Sequence, residues 1–339
     1  MVSLEEIKEI KEPKDLSQQI LRGFGVKARK VVREKSYFIC DTQQGLKMIR
    51  RSGDSPENII FQHDIKEKLY AGGFARTDRF CLSSEGKPYY PWNGDIYVMT
   101  GFLPYKDTGF SDAEEFRNIV EAAAWMHRLG RLGDYGGKVF APQSDCLEEY
   151  RKSAAQLTAI KKKIGRQACM SDFDVIFLKN YAYYSKRLKS SIQLLEKADP
   201  AAALSEALRD GKVCHHALKE ETVLADAGDI YVTRFSCAMF DLQLHDLADI
   251  IRRYLRNMSG TGFGIFQILD IYDKINTVSG EDAKILSAML KYPHHFLKTA
   301  GQYYSKKRTW TPGALISRLK TVVACEDAYD RAISVLEIR

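Results

Sequence analysis

The sequence predicts an α+β protein: a small antiparallel sheet with one helix, followed by a large helical region that a single hairpin interrupts. Three observations lead there. The early part of the 339-residue chain is built of short β-branched and aromatic runs set off by turn residues. Beyond Pro104, apolar residues recur at helical spacing almost to the C-terminus. Inside that helical stretch, Val223-Leu224-Ala225 and Ile230-Tyr231-Val232 flank a DAGD turn, which is a hairpin signature.

In chain order, residues 29–40 (RKVVREKSYFIC) read as a strand or a pair of strands, and DTQQG at 41–45 as a turn. Leu46 to Ile49 form the next strand, and alternation puts Leu46 and Met48 on one face and Lys47 on the other. Residues 57–70 read as a helix. Thr77 to Leu82, the turn SSEG and Asp95 to Thr100 add further strands. Helices follow at 112–130, where Phe116, Ile119, Val120 and Ala123 share a face, and at 147–164, 172–197 and 201–209, with Gly211 as a stop. After the hairpin, Leu247, Ile250, Ile251, Tyr254 and Leu255 make one stripe, and helices continue over 263–276, 281–291, 293–304 and 312–336. The chain therefore divides into a first lobe, 1–103, and a helical lobe, 104–339.

Composition narrows the class. Hydrophobic residues are 45% and charged residues 28%, enough apolar material for a sizeable core. The net charge of +7 is spread along the chain, with dense spots at Lys161-Lys162-Lys163 and Lys306-Lys307-Arg308. Such spots are commonly solvated helix faces, and no basic-aromatic motif accompanies them, so nucleic acid is not an expected partner. The seven cysteines are odd in number with no C-x-x-C spacing, which argues against a disulfide framework or zinc site and for a reducing compartment. The leading MVSLEEIKEIKEPKD has no apolar run, and no stretch approaches the length of a membrane span, so synthesis in the cytosol without membrane insertion is expected.

Several segments carry a family resemblance. VCHHALKEETVLADAGDIYVTRFSCAMFDLQLHDLADIIRRYL (213–255) resembles the catalytic segment of aminoglycoside-phosphotransferase-like kinases. QGLKMIR (44–50), DIYVMTGFLP (95–104), EAAAWMHRLG (121–130) and YPHHFLKTAGQYYSKKRTW (292–310) are similar to other stretches of that superfamily, in the right order. The chain as a whole is most similar to the CotS spore-coat family. The resemblance implies a two-lobed protein-kinase-like fold, with residues 213–246 in the place of the catalytic segment, and a place in the spore coat among other coat proteins.

Active relatives need four parts for phosphoryl transfer. The resemblance puts a phosphate-holding lysine at Lys47; the plain reading of that residue is a surface lysine on an amphipathic strand. The helix acid that orients the lysine falls near Gln62 or His63, with Asp64 and Glu67 as the nearest carboxylates. In the loop His215 is kept, but Ala217 stands at the general base and Thr222 at the metal-binding asparagine. A methyl group accepts no proton, and loss of a general base alone costs about 10²–10⁴ in rate. Arg234 stands at the metal-binding aspartate, with Ser236 at a frequent second carboxylate, and a guanidinium has no lone pair for a metal. His215, Asp241 and Asp246 survive; the resemblance allows them scaffolding roles as much as chemical ones, as buried acceptors and helix caps.

Other motifs carry less. His127 reads as a core histidine. His294-His295 lacks further ligands for a metal site. Ser259-Gly260-Thr261-Gly262-Phe263-Gly264 follows a helix rather than a strand, unlike a dinucleotide loop. GFGVKARKV (23–31) lacks a glycine-rich phosphate pattern. Cys214 beside His215 has no orienting acid for a nucleophile's role. Three functions follow from these readings. One is a pseudokinase of the spore coat, serving structure or assembly through anchors such as Tyr181, Tyr183, Tyr184, Tyr303, Tyr304 and Trp310, although tyrosines of this kind commonly pack between helices. A second is an active or nucleotide-binding small-molecule phosphotransferase. In it Arg234 replaces the charge of magnesium, Glu220 or Glu221 serves as base, and ATP binds without the metal. The third is an anion- or nucleic-acid-binding module that uses the basic surplus.

Overall fold

The structure, a computed structural model, describes residues 16–34, 36–102, 106–133, 135, 140–257, 263–305 and 311–334. The leading MVSLEEIKEIKEPKD, Leu103 and Pro104, residues 259–262 of the glycine string, the Lys306-Lys307-Arg308 cluster and Trp310 lie outside the described residues. The chain separates into two compact units. One comprises the described residues of Met1–Gly109, Trp125–Leu132 and His215–Ala238; the other comprises those of Phe110–Ala124, Gly133–Cys214 and Met239–Arg339.

The first unit opens with a short helix, α1 (Gln18–Gly23), and an antiparallel meander of β1 (Ala28–Glu34), β2 (Tyr37–Thr42) and β3 (Gly45–Ser52). Residues 29–40 are thus a pair of strands rather than one. Helix α2 (Pro56–Ala71) follows because its start is well signalled: the Ser55 side chain accepts from Asn58 N–H, Pro56 occupies the first turn, and Glu57 meets the positive end of the dipole. Strands β4 (Tyr90–Trp92) and β5 (Asp95–Gly101) are joined by Asn93-Gly94, both at positive φ as a two-residue hairpin turn requires. The order across the sheet is β1-β2-β3-β5-β4.

The stretch from Thr77 to Leu82 is not the expected strand. Its only described pairings are single bridges, Thr77 to Val232 and Phe80 to Thr100, because it crosses between the β5 edge and the later hairpin rather than following either one. The short edge strand β4, with Pro91 at its centre, adds to the strands expected from the sequence.

The sheet is covered on both faces. Cys40, Ile49 and Met99 pack with Ile20, Leu21 and Phe24 of the α1 region, whereas Val98 and Ile96 pack with Ile59 of α2. This two-sided burial decides where each β3 side chain points. The unit also holds β6 (Lys106–Asp107), and then, after α3 (Ala113–Leu129), α4 (Cys146–Ile164), α5 (Asp172–Glu196), α6 (Pro200–Arg209) and β7 (Val213–Cys214), the hairpin β8 (Val223–Asp226) and β9 (Asp229–Val232). The hairpin turns on Ala227 and Gly228, again both at positive φ, and β6 pairs with β8.

The second unit is helical apart from β7 paired to β10 (Met239–Phe240). It continues with α7 (Leu244–Asn257), α8 (Ile265–Asp273), α9 (Gly280–Lys291), α10 (His294–Tyr304), α11 (Pro312–Ala324) and α12 (Glu326–Ser334). The expected helix over 312–336 is two helices, parted at Cys325; there Arg187 of α5 draws Glu326 and Asp330 of α12 into ion pairs. On α7, Leu247, Ile250, Ile251 and Tyr254 are buried as a stripe. Gly211 sits at φ +61, with room for a side chain denied by the Gly133 backbone. The aromatic residues pack between helices: Tyr184 stacks on Phe296, and Tyr303 stacks on Phe173. Among the described residues no helix is long and apolar enough to cross a membrane.

Helix α5 shows how a buried acid is built in. Ser171 and Asp174 form a capping box, and Tyr304 of α10 donates its hydroxyl to the same carboxylate. Burial raises the Asp174 pKa, but the hydrogen bonds from Tyr304 and Ser171 outweigh it and hold the group below its ordinary 3.8. A carboxyl depressed on folding stabilises fully above its unfolded value, and that stability is lost as pH falls through the folded one. Asp174→Asn is therefore expected to lose about 1–3 kcal/mol at pH 7. Urea melts should show the gap from wild type closing below about pH 4; a gap independent of pH would contradict this.

Candidate functional site

The candidate site lies within the first unit, where the segment after α2 meets the segment around the β8–β9 hairpin. Val232 N–H donates to Arg76 O at 3.0 Å, and Thr77 bridges to Val232. These bonds fix Asp78 beside Arg234. The backbone N–H of Arg234 donates to both carboxylate oxygens of Asp78, each at 3.3 Å.

Asp78 has a second partner. Lys66, projecting from α2, is wholly buried, and its Nζ lies 2.9 Å from Asp78 Oδ1 and donates to Asp78 O at 2.9 Å. The ammonium also sits 3.7 Å from the Phe80 ring centroid and 5.9 Å from that of Phe235. Burial pulls the Lys66 pKa below its ordinary value, and Asp78 opposes that pull. Neither residue was singled out from sequence: KEKLY on a helix looks like a solvated stripe.

The sequence-derived positions fall into place around this pair. Phe235 is fully buried, with its ring edge-on to that of His215 at 4.6 Å. His215 Nε2 lies 3.0 Å from Thr233 O, a distance that puts the proton on Nε2. Ala217 presents a methyl group where the resemblance puts the base. The Thr222 hydroxyl donates within its own loop, to Ala217 O and Lys219 O, and accepts from Lys219 N–H. Thr233 donates its hydroxyl to Thr222 O. His216 and Arg234 both hold positive φ, 59° and 60°, a strained conformation for non-glycine residues that the surrounding bonds sustain. Arg234 itself is exposed, as is Ser236. Glu221 is exposed and paired with Lys219 at 3.3 Å.

Lys47 is a correction. It pairs across the sheet with Cys40 and Gly101, which puts it on the α1 face with Ile49 and beside the Cys81 thiol. The face toward α2 carries Met48 and Arg50, since Arg50 pairs with Val98 and Val98 packs on Ile59 of α2. Tyr37 shares that face opposite Arg50. Burial raises the Tyr37 phenol's pKa, Glu34 adds to the rise, and the nearby Arg234 guanidinium opposes it. A pair between Lys47 and an α2 carboxylate is therefore not formed. Gln62 is buried and donates to Asp54 and Asn58, while Glu67 is gripped by Arg79 through two hydrogen bonds.

In the second unit, Asp241 accepts from Leu242 N–H at 2.7 Å, and Asp246 is wholly buried in the first turn of α7. Cys214 and His127 are also wholly buried.

Magnesium takes oxygen ligands, carboxylates above all. Arg234 offers no lone pair, the Thr222 hydroxyl is engaged within its loop, and the carboxylate beside Arg234, Asp78, is already bound to an ammonium. The residues at these positions do not fit a divalent cation. Among the described residues no group of three or more His, Cys, Asp or Glu side chains could hold a metal ion.

Breaking a buried ion pair from one side costs about 3–5 kcal/mol, whereas removing both charges is often neutral. Asp78→Ala is expected to lose that amount in denaturant melts, and Lys66→Met combined with Asp78→Asn to regain most of it. Losses that simply add would show that the two residues are not coupled.

Comparison with known proteins agrees with this layout. Residues 17–336 match the family described as "Spore coat putative kinase YutH". The endospore coat-associated protein YutH of Bacillus subtilis is 23% identical over 232 residues, which is 66% of this chain and 64% of that protein, less than two thirds of its length. Among solved structures, an aminoglycoside phosphotransferase from Alicyclobacillus acidocaldarius aligns with a TM-score of 0.83 at 15% identity, covering 96% of this chain and 97% of that one. Spectinomycin phosphotransferase APH(9)-Ia in complex with AMP aligns with a TM-score of 0.60 at 13% identity, covering 94% and 96%. The fold is that of the kinase-like phosphotransferases, and the chain belongs to the spore coat YutH family.

Proposed function

We propose that this kinase-like spore coat protein is a pseudokinase that serves coat structure and assembly rather than phosphoryl transfer. The observation that carries the reading is the charge pattern at the metal position. Arg234 stands where the resemblance puts a metal ligand, and the adjacent carboxylate, Asp78, is neutralised by Lys66. Ala217 removes the proton acceptor as well. The loop's remaining bonds support a scaffold: His215 holds Thr233 O, Thr222 ties the loop to itself, and Asp241 and Asp246 brace the start of α7. The relative's association with the endospore coat supports the same location for this chain, and other coat proteins are its proposed partners.

A second reading draws on one observation. Arg234 is exposed, and its positive charge opposes the rise in the pKa of the Tyr37 phenol, which lies opposite Arg50 on one sheet face. Two guanidinium groups so disposed suit phosphates in the absence of a metal, so this reading is a nucleotide-binding protein.

The full chain, mixed with ATP and magnesium and offered aminoglycosides, amines, sugars and proteins, is expected to transfer no phosphate above the blank. Turnover that disappears in Arg234→Ala would overturn the pseudokinase. Melting with ATP in the presence and absence of magnesium separates the two readings. No shift supports a purely structural protein, and a metal-independent shift supports the nucleotide-binding one.

A further inference from the structure

We propose that the helical unit carries a binding site for a phosphate group in the cavity where the N-terminal turn of α10 meets α7 and α12. The cavity has a volume of about 30 Å³, and its lining includes Arg187, Arg252, Arg256, His294, His295 and Tyr329. That exceeds what a single water needs and suits one compact oxyanion. All of these residues lie in the second unit.

Three independent features favour a negative ligand. The first is the helix end. Pro293 is the N-cap of α10 and makes no capping hydrogen bond through its side chain; His294 N–H donates to Tyr292 O, so the N–H groups of His295 and Phe296 lack the acceptor that Ser, Thr or Asp supplies elsewhere in the chain. A helix N-terminus of this kind favours an anion.

The second is the charge balance. Glu326 is the carboxylate in the lining, and it is already held by Arg187 and by the Tyr184 hydroxyl. Arg252 is paired with Asp249 at 3.2 Å. Arg256 lines the cavity while remaining exposed, has no carboxylate within ion-pair distance among the described residues, and its pKa is pulled down by partial desolvation and by the like charges of Arg253 and Arg318. Without an anion these cations repel one another.

The third is an unmet polar atom. His295 Nδ1 is buried and has no hydrogen-bond partner among the described residues. Burial and the neighbouring arginines push both histidines down, His294 to about 3, so both rings are neutral and each can donate one N–H. A tetrahedral oxyanion would meet Arg256, the backbone N–H groups of His295 and Phe296 and a histidine ring N–H, all of them donors.

The ligand chemistry is a phosphate group, free or esterified to a larger molecule, and the test separates these sources. The full chain is melted and titrated calorimetrically with inorganic phosphate and with glycerol 3-phosphate, using chloride at matched ionic strength as control. Phosphate is expected to raise the melting temperature beyond the chloride control and to shift the ring-proton resonances of His294 and His295. Arg256→Gln and His295→Gln are each expected to weaken binding by about tenfold or more. Arg256→Gln without phosphate should melt no lower than wild type, because it relieves repulsion. Preference for the free ion would mark an enclosed structural anion, and equal or tighter binding of the ester a docking site for a phosphorylated molecule. No response beyond chloride, or a response in both variants as strong as that of the wild type, would overturn the site.

Discussion

The buried Lys66–Asp78 pair is the constraint around which the candidate site is arranged. An ammonium with no solvent exposure needs a partner, and Asp78 supplies both a carboxylate oxygen and its own carbonyl. The same carboxylate takes the backbone N–H of Arg234 and so holds that residue in its left-handed conformation. The peptide turns there, Phe235 swings into the core against His215, and the Arg234 side chain is sent outward. One ion pair thereby sets the backbone path, the packing of an aromatic ring and the direction of a cation.

The scaffold and the chemistry of this segment separate cleanly. What persists is backbone geometry: the β8–β9 hairpin, the His215–Thr233 contact, the internal bonds of Thr222, and two strained residues that need support from their surroundings. What is missing is the set of side chains that accept protons or coordinate metal. On the pseudokinase reading proposed above, this chain keeps a rigid body whose surfaces are available for other uses. The basic cavity of the helical unit is one such surface, lying within a different compact unit from the altered positions.

Much of this was legible in the residues themselves. The DAGD hairpin, the helices read over 57–70 and 172–197, and the apolar stripe of α7 are local signals, and each produced the element it announced. Ala217, Thr222 and Arg234 are informative by chemistry alone, since no fold gives a methyl group a lone pair. Other features are set at long range. Alternation in LKMIR put Lys47 opposite Leu46 and Met48, but both faces of the sheet are covered, so the pattern could not say which face meets α2. Lys66 and Asp78 are twelve residues apart, and their burial depends on Phe80 and Phe235, which neither local sequence reveals. The convergence of arginines from α5 and α7 on the His294-His295 turn is a property of tertiary packing.

The central claim is that the position lined by Arg234 and Asp78 takes no divalent cation, and manganese resonance tests it most directly. Mn²⁺ with ATP, titrated with the full chain, should give an electron paramagnetic resonance spectrum that is the same with and without protein. A stoichiometric protein-bound manganese signal, lost when Asp78 is replaced by Asn, would contradict the account.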